Sequence, residues 1–362
     1  MKILFVCNTV YQILVASWIK HKEHADDECD MVISNHMNNS ELLCANMKRA
    51  KMFSQVFHVS SKEYVKNGER PYNGRLGKLY YDSFPSNCLD KYICLEKKYD
   101  ALYIANFDRF NALIYDVLKR RNRSLKLFVY EDGLSTYGLI TKGFYDVHKP
   151  SDNPVVRFVH NRIYRRNSLY QNVDCLRVFD KSLCEWTPDC DIEQIERIDV
   201  NDTVFKQNIN TVFDYDSLED SYEEQYIFFE ESYFADYGYM EDVNLVERIA
   251  EKVGKENLLI KMHPRNPENR FKEIGYKTNI NTAIPWEVIA LNLDLSQKTL
   301  ITISSSSLIS ANRVLSFQSE SLISCLNCVN SLSKIVKENY FSTVLNIYSN
   351  YHVRFIHQIN EL

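Results

Sequence analysis

Apolar residues along the chain alternate between two rhythms: short unbroken runs, and longer stretches with an apolar side chain every third or fourth position. Residues 2–7 (KILFVC) form the first run, which stops at Asn8 and Thr9, and the stretch from about Tyr11 to Lys22 has helical spacing. This predicts a buried strand, a polar loop and a helix. DMVIS (30–34) and QVFHVS (55–60) predict two more strands around a helix over 41–53. ALYIANF (101–107) and LKLFVY (125–130) flank a predicted helix at 110–121, with Phe110, Leu113, Ile114, Val117 and Leu118 on one face. Strands alternating with helices imply a parallel sheet covered on both sides.

The rhythm lapses over residues 141–200, which are rich in Arg, Asn and Tyr. Residues 201–224 are polar, acidic and free of Gly and Pro, and are read as a connection between domains. A second α/β pattern begins at QYIFFEE (225–231). It continues through a helix at 240–254, strand then loop at NLLIKMHPR (257–265), and WEVIALNL (286–293), a helix or strand. TLITISSSSLIS (299–310) and SESLISCLNCV (318–328) follow. From about Val344 the tail has a helix-like pattern and is expected to pack back on the first domain. The organisation is therefore residues 1–200, a linker at 201–224, and residues 225–362, consistent with roughly 100–200 residues per domain.

Composition narrows the class. With 45% apolar residues the chain has ample material for a core, and 43 Lys+Arg against 48 Asp+Glu gives a net charge of -5. Nothing in that balance suggests nucleic acid. The local basic runs KRRNR (119–123) and HNRIYRR (160–166) read as solvated faces, with contact to an anionic surface as the alternative. Ten cysteines without a regular framework suit reduced thiols and a cytoplasmic protein; the lone Cys325/Cys328 pair lacks a second ligand pair for zinc. The N-terminus fails as a signal peptide because Asn8, Thr9 and Gln12 interrupt the apolar run. No stretch reaches the ~18 apolar residues of a membrane span.

Candidate chemistry sits at predicted strand ends, where open parallel sheets bind ligands. In YEDG, Glu131 and Asp132 end a strand and Gly133 permits a sharp turn. A carboxylate fixed there suits a general base, although Asp-Gly is also a common turn. In KMHPR, Pro264 holds His263 in extended geometry, and Arg265, with Lys261 and Lys272, adds positive charge. An imidazolium in that setting suits a departing phosphate. The serines from Ser304 to Ser307 offer hydroxyls and N–H groups to an anion, or cap a helix. Trp286 and Glu287 suit a nucleoside, or a Pro-started helix with a packed Trp. The Asp189/Asp191 and Asp214/Asp216 pairs follow no apolar strand and read as surface rather than metal ligands. No dinucleotide, Walker or nucleophile-elbow motif is present, and only 9 residues are glycine.

Two Rossmann-like domains with parallel sheets facing an interdomain cleft match the GT-B architecture of many glycosyltransferases. The motif order sharpens this: a loop with Cys7, Thr9 and Gln12, then EDG, HPR and the serines. It resembles the bacterial sialyltransferases of glycosyltransferase family 52, lipooligosaccharide and capsule enzymes. Bacterial polysialyltransferases and marine-type sialyltransferases are more distant relatives. The resemblance implies inverting, metal-independent transfer of N-acetylneuraminic acid from CMP-Neu5Ac, with no cofactor. The acceptor would be a terminal galactose on a bacterial surface glycan. It implies that His263, with Pro264 and Arg265, meets the CMP phosphate as general acid. Ser304, Ser305 and Ser306 would bind that phosphate, and Trp286 and Glu287 would lie near the nucleoside. Asn8, Thr9, Gln12 and Gly133 would lie on the acceptor side. The base stays open between Glu131, Asp132 and the loop acids Glu230, Glu231 and Asp236. Peripheral association with the inner face of the cytoplasmic membrane and a homodimer are further expectations. The alternatives are a GT-B transferase using another nucleotide sugar, such as a UDP-sugar, and a non-catalytic glycan- or nucleotide-binding protein.

Overall fold

The run KILFVC becomes strand β1 (Lys2–Cys7), and all but its first residue are buried, as a strand covered on both faces requires. The computed structural model describes residues 1–62, 85–137, 169, 172–184, 190–216, 221–317, 319, 321–329 and 338–362. The chain divides into two units: Met1–Glu196 with Thr211–Phe213, and Arg197–Asn210 with Asp214–Leu362.

In the first unit β1 leads through α1 (Val10–Glu23) to β2 (Glu28–Ser34), α2 (Ser40–Ala50) and β3 (Gln55–Val59). After α3 (Pro85–Leu89) come β4 (Ala101–Ile104), α4 (Arg109–Arg121), β5 (Lys126–Tyr130), β6 (Cys175–Val178) and β7 (Asp191–Gln194). Thr9 caps α1 by accepting the Gln12 N–H at 3.2 Å, and Asp108 caps α4 by accepting the Asn111 N–H at 2.7 Å. The basic run at 119–123 largely forms the last turn of α4, where cations complement the helix dipole. The run at 160–166 lies outside the described residues. The sheet has the order β3-β2-β1-β4-β5-β6-β7 and every pairing is parallel. Phe5, Tyr103 and Phe128 stack across β1, β4 and β5 with centroid spacings of 4.6 Å.

The stretch expected as a plain connection contains α5 (Thr203–Phe213). Phe205, Ile209, Val212 and Phe213 are buried at helical spacing, so its acidic composition hid an amphipathic helix. The second unit continues with β8 (Tyr226–Phe229), α6 (Tyr233–Tyr237), α7 (Glu241–Val253), β9 (Leu258–Lys261), α8 (Arg270–Glu273) and β10 (Lys277–Thr278). Then come α9 (Trp286–Asn292), β11 (Thr299–Thr302), α10 (Ser307–Val314), β12 (Ser321–Ser324), α11 (Glu338–Asn350) and β13 (Arg354–Phe355). This sheet has the order β10-β9-β8-β11-β12-β13, again with parallel pairings. Each sheet therefore lays two strands to one side of its first strand and the rest to the other. In each, the winding reverses at one place, between β1 and β4 and between β8 and β11. Such a reversal opens a crevice at the carboxyl ends of the strands.

The tail corrects an expectation. It joins the second sheet through β13, and Ile356 and Ile359 are buried with Ile323 and Cys325 of that unit. An apolar face completes whichever core offers it a strand edge, and β12 offers one. All ten cysteines are free thiols, and among the described residues no helix is long and apolar enough to cross a membrane. Ile356→Ala leaves a cavity in this core. It should lower unfolding free energy by roughly 2–5 kcal/mol, read from urea unfolding followed by circular dichroism.

Candidate active site

In the first unit, β5 ends at Tyr130 and delivers Glu131 and Asp132 to the carboxyl edge of the sheet, one strand from the β1–β4 reversal. The two carboxylates have different environments. Glu131 is fully buried: it accepts the Tyr11 hydroxyl at 2.6 Å, the Phe179 N–H at 3.0 Å and the Tyr137 hydroxyl. Its oxygens are thus engaged inside the protein. Asp132 is partly open, with the Thr9 hydroxyl 3.5 Å away. Desolvation pushes its carboxyl up to about 6, with Glu131's charge adding to the shift and Gln12 and Thr9 opposing it. Gly133 has φ 74, the left-handed conformation the turn needs, and the Asp132 N–H donates to Thr136 Oγ1 at 2.8 Å.

The loop after β1 encloses this carboxylate. The Asn8 N–H donates to Gln12 Oε1 at 2.6 Å, and Asn8 Nδ2 donates to Asp108 Oδ2 at 2.7 Å and Asn106 Oδ1 at 3.2 Å. Asn8 Oδ1 is buried without a partner. Asn8, Thr9, Gln12 and Asp132 are therefore brought together. Asn106 and Asp108 were missed in the sequence, although an Asp just before the FNALIYDV pattern is a capping signal.

In the second unit two consecutive carboxylates follow β8. Glu230 Oε2 accepts the His263 N–H at 2.9 Å, while Glu230 Oε1 accepts Arg270 at 2.8 Å. Arg270 also binds Asp242 through two hydrogen bonds at 3.1 and 2.7 Å, and it lies over the Phe234 ring. Glu231 Oε1 accepts the Ser304 N–H at 2.7 Å and the Thr302 hydroxyl at 3.0 Å. Burial pushes Glu231 up to about 7. One carboxylate thus holds the His-Pro turn after β9, and the next holds the serine loop after β11. Both are buried and engaged by protein donors.

His263 differs from the imidazolium expected. Its Nδ1 accepts the Arg265 N–H at 3.2 Å, which leaves the proton on Nε2. Desolvation, then the charges of Arg265 and Lys261, push the ring down to about 4, so it is neutral near pH 7. The Arg265 guanidinium reaches Asp236 at 3.1 Å and the Ser232 hydroxyl at 2.8 Å. Pro264 and Arg265 are exposed.

The serines divide in the same way. Ser304 is fully buried, its hydroxyl 2.6 Å from that of Tyr233 and its N–H on Glu231. Ser305 donates its N–H to Thr302 Oγ1 at 3.2 Å, and its carbonyl accepts the Tyr348 hydroxyl at 2.6 Å. Ser306 and Ser307 are more open and begin α10. The more open groups of this loop are therefore those of Ser306 and Ser307, because the Ser304 hydroxyl and N–H are spent internally. Trp286 is a further correction: it is 2% exposed and packs edge-on against Phe229 at 4.9 Å, so its ring is core. Glu287 is mostly buried in the first turn of α9. Asp191, Asp214 and Asp216 are exposed, and Asp189 lies outside the described residues.

Arg270→Met would strand Glu230 and Asp242 as buried charges. It should cost about 3–5 kcal/mol of unfolding free energy, measured by urea unfolding.

Comparison with known proteins fits this geometry. A search of curated proteins found no match. Among solved structures, the alpha/beta-galactoside alpha-2,3-sialyltransferase of Photobacterium phosphoreum is similar over 100% of this chain and 99% of its own, with 14% identity and a TM-score of 0.56. At that identity the likeness shows the fold, which is GT-B-like α/β. A putative UDP-N-acetylglucosamine 2-epimerase from Listeria monocytogenes covers 86% of this chain and 76% of its own, with 11% identity and a TM-score of 0.41, too low to carry an argument. The sialyltransferase kinship expected from the motifs holds, and the matching family is the one placed among the more distant relatives. The family model described as alpha-2,8-polysialyltransferase (POLYST) matches residues 3–323, so the chain belongs to that family and is a glycosyltransferase.

Proposed function

We propose that the protein moves N-acetylneuraminic acid from CMP-Neu5Ac to a hydroxyl of a bacterial surface glycan, with inversion and without a metal. The observation that carries this reading is the carboxyl edge of the second sheet. There Glu230 and Glu231 hold a neutral, Nε2-protonated His263 and a serine loop on the strands flanking β8. That edge suits a phosphate leaving group. Nε2–H, the Ser306 and Ser307 donors and the N-terminus of α10 meet its charge, and Arg265 adds a cation. As the sugar–phosphate bond breaks, the Nε2–H hydrogen bond strengthens against the charge building on the phosphate, and the neutral ring keeps its proton.

Asp132 is the proposed base, because it is the more open carboxylate of YEDG and its proton affinity is already raised. It takes the proton of the attacking hydroxyl, while the Asn8 carboxamide oxygen accepts from a neighbouring hydroxyl of the acceptor. No covalent intermediate is needed, by analogy with inverting glycoside chemistry. The cytoplasm, where free thiols persist, is the proposed compartment. A terminal galactose is the acceptor the motifs imply. The family description favours a second reading, a terminal sialic acid extended in α2,8 linkage.

Release of CMP from CMP-Neu5Ac, offered lactose or an α2,8-linked sialyl oligosaccharide in the presence of EDTA, tests donor, acceptor and metal together. His263→Ala should lower kcat by roughly 10²–10³ through loss of the Nε2–H hydrogen-bond donor; near-normal turnover removes the role. CMP should raise the melting temperature more than UDP does, since a ligand binding only the native state stabilises it. A larger shift with UDP would favour a UDP-sugar donor.

Asp132 acts only when ionised, so kcat/KM should fall as pH drops below about 6, where its carboxyl titrates, and level off above it. Asp132→Asn should lose roughly 10²–10⁴ in kcat and abolish that limb. Retention of the limb in the variant would assign it to another group.

A further inference from the structure

The family match ends at residue 323, yet a side chain beyond it reaches the serine loop. Tyr348 lies on α11, fully buried, beside the buried Val344 and Ile347. Its ring packs 6.0 Å from that of Phe355 on β13. Its hydroxyl donates to the Ser305 carbonyl at 2.6 Å.

The target of that bond matters. The Ser305 carbonyl and the Ser306 N–H belong to one peptide unit, which is planar and trans, so the two groups point in opposite directions. A hydroxyl anchoring the carbonyl from within therefore fixes the Ser306 N–H pointing away from the core. Leu308 also donates to the Ser305 carbonyl, at 3.2 Å, as the first turn of α10 forms. Tyr233 and Glu231 anchor the preceding residue, Ser304, and leave the orientation of this peptide to the Leu308 N–H and, as the shorter bond and the one side chain of the two, the Tyr348 hydroxyl.

We propose that Tyr348 is a positioning residue for donor binding: through the Ser305–Ser306 peptide it aims the N–H that receives the donor phosphate. This rests on the reading of the serine loop as the phosphate site. The tail is then part of the donor site's construction, and the hydroxyl, not the bulk of the ring, carries the effect.

Tyr348→Phe keeps the ring and removes the hydrogen bond. At the usual net value of such a bond, CMP affinity by calorimetry should weaken roughly 3–10-fold, and the KM for the sugar donor should rise by a similar factor. The KM for the acceptor should stay unchanged. Ile347→Val on the same helix loosens packing but keeps the hydroxyl, so a lower melting temperature with unaltered donor KM is expected there. Unchanged CMP affinity in Tyr348→Phe overturns the proposal, as does a donor KM that rises equally in Ile347→Val. His263→Ala, titrated with CMP in parallel, separates the two failures. If it weakens CMP while Tyr348→Phe does not, only the role of Tyr348 falls. If neither variant weakens CMP, the phosphate-site reading fails and this inference falls with it.

Discussion

Everything proposed for the second unit depends on two adjacent buried carboxylates at the end of β8. Burying one carboxylate is costly, and burying two in succession is tolerable only if each is fully engaged. Glu230 is compensated by Arg270 and the His263 N–H, and Glu231 by the Thr302 hydroxyl and the Ser304 N–H. Because β8 lies between β9 and β11, the two side chains tie the loops on either side to a common strand. Asp242 extends the network by holding Arg270, so the His-Pro turn is braced by a buried cluster of charges.

The same economy operates in the first unit. Glu131 is consumed by two tyrosine hydroxyls and a backbone N–H, and this leaves Asp132 as the more open member of the pair. In both units a conspicuous acidic pair follows a strand. One such pair divides into a structural and a more exposed carboxylate, and the other is structural throughout. The environment of His263 follows a related logic. A ring desolvated beside Arg265 and Lys261 is neutral, and so donates a hydrogen bond rather than carrying a charge.

Much of this was legible in the sequence. The strand runs, the helices at 110–121 and 240–254 and the strand-end positions of EDG, HPR and the serines all follow from local periodicity. The amphipathic spacing of Phe205, Ile209, Val212 and Phe213 was also present, but polar composition outweighed it in the reading of 201–224. Trp286 beside Glu287 fits a nucleoside platform and a packed helix start equally well by sequence. Phe229 and Tyr222, both far away in the chain, pack against the ring and make it core.

Periodicity is local, so the sequence by itself determined that the chain is parallel α/β and that the candidate polar groups of EDG, HPR and the serine run follow strand ends. Which polar groups remain available there was decided by tertiary structure alone. Glu131 and Asp132 are adjacent and chemically alike, and Ser304 and Ser306 are identical residues two positions apart. What separates them is the arrival of Tyr11, Tyr137 and Phe179 in one place, and of Glu231, Tyr233 and Tyr348 in the other. Several of those partners come from distant parts of the chain. A buried hydrogen bond needs both its groups within about 3 Å, and no pattern along the sequence records that meeting.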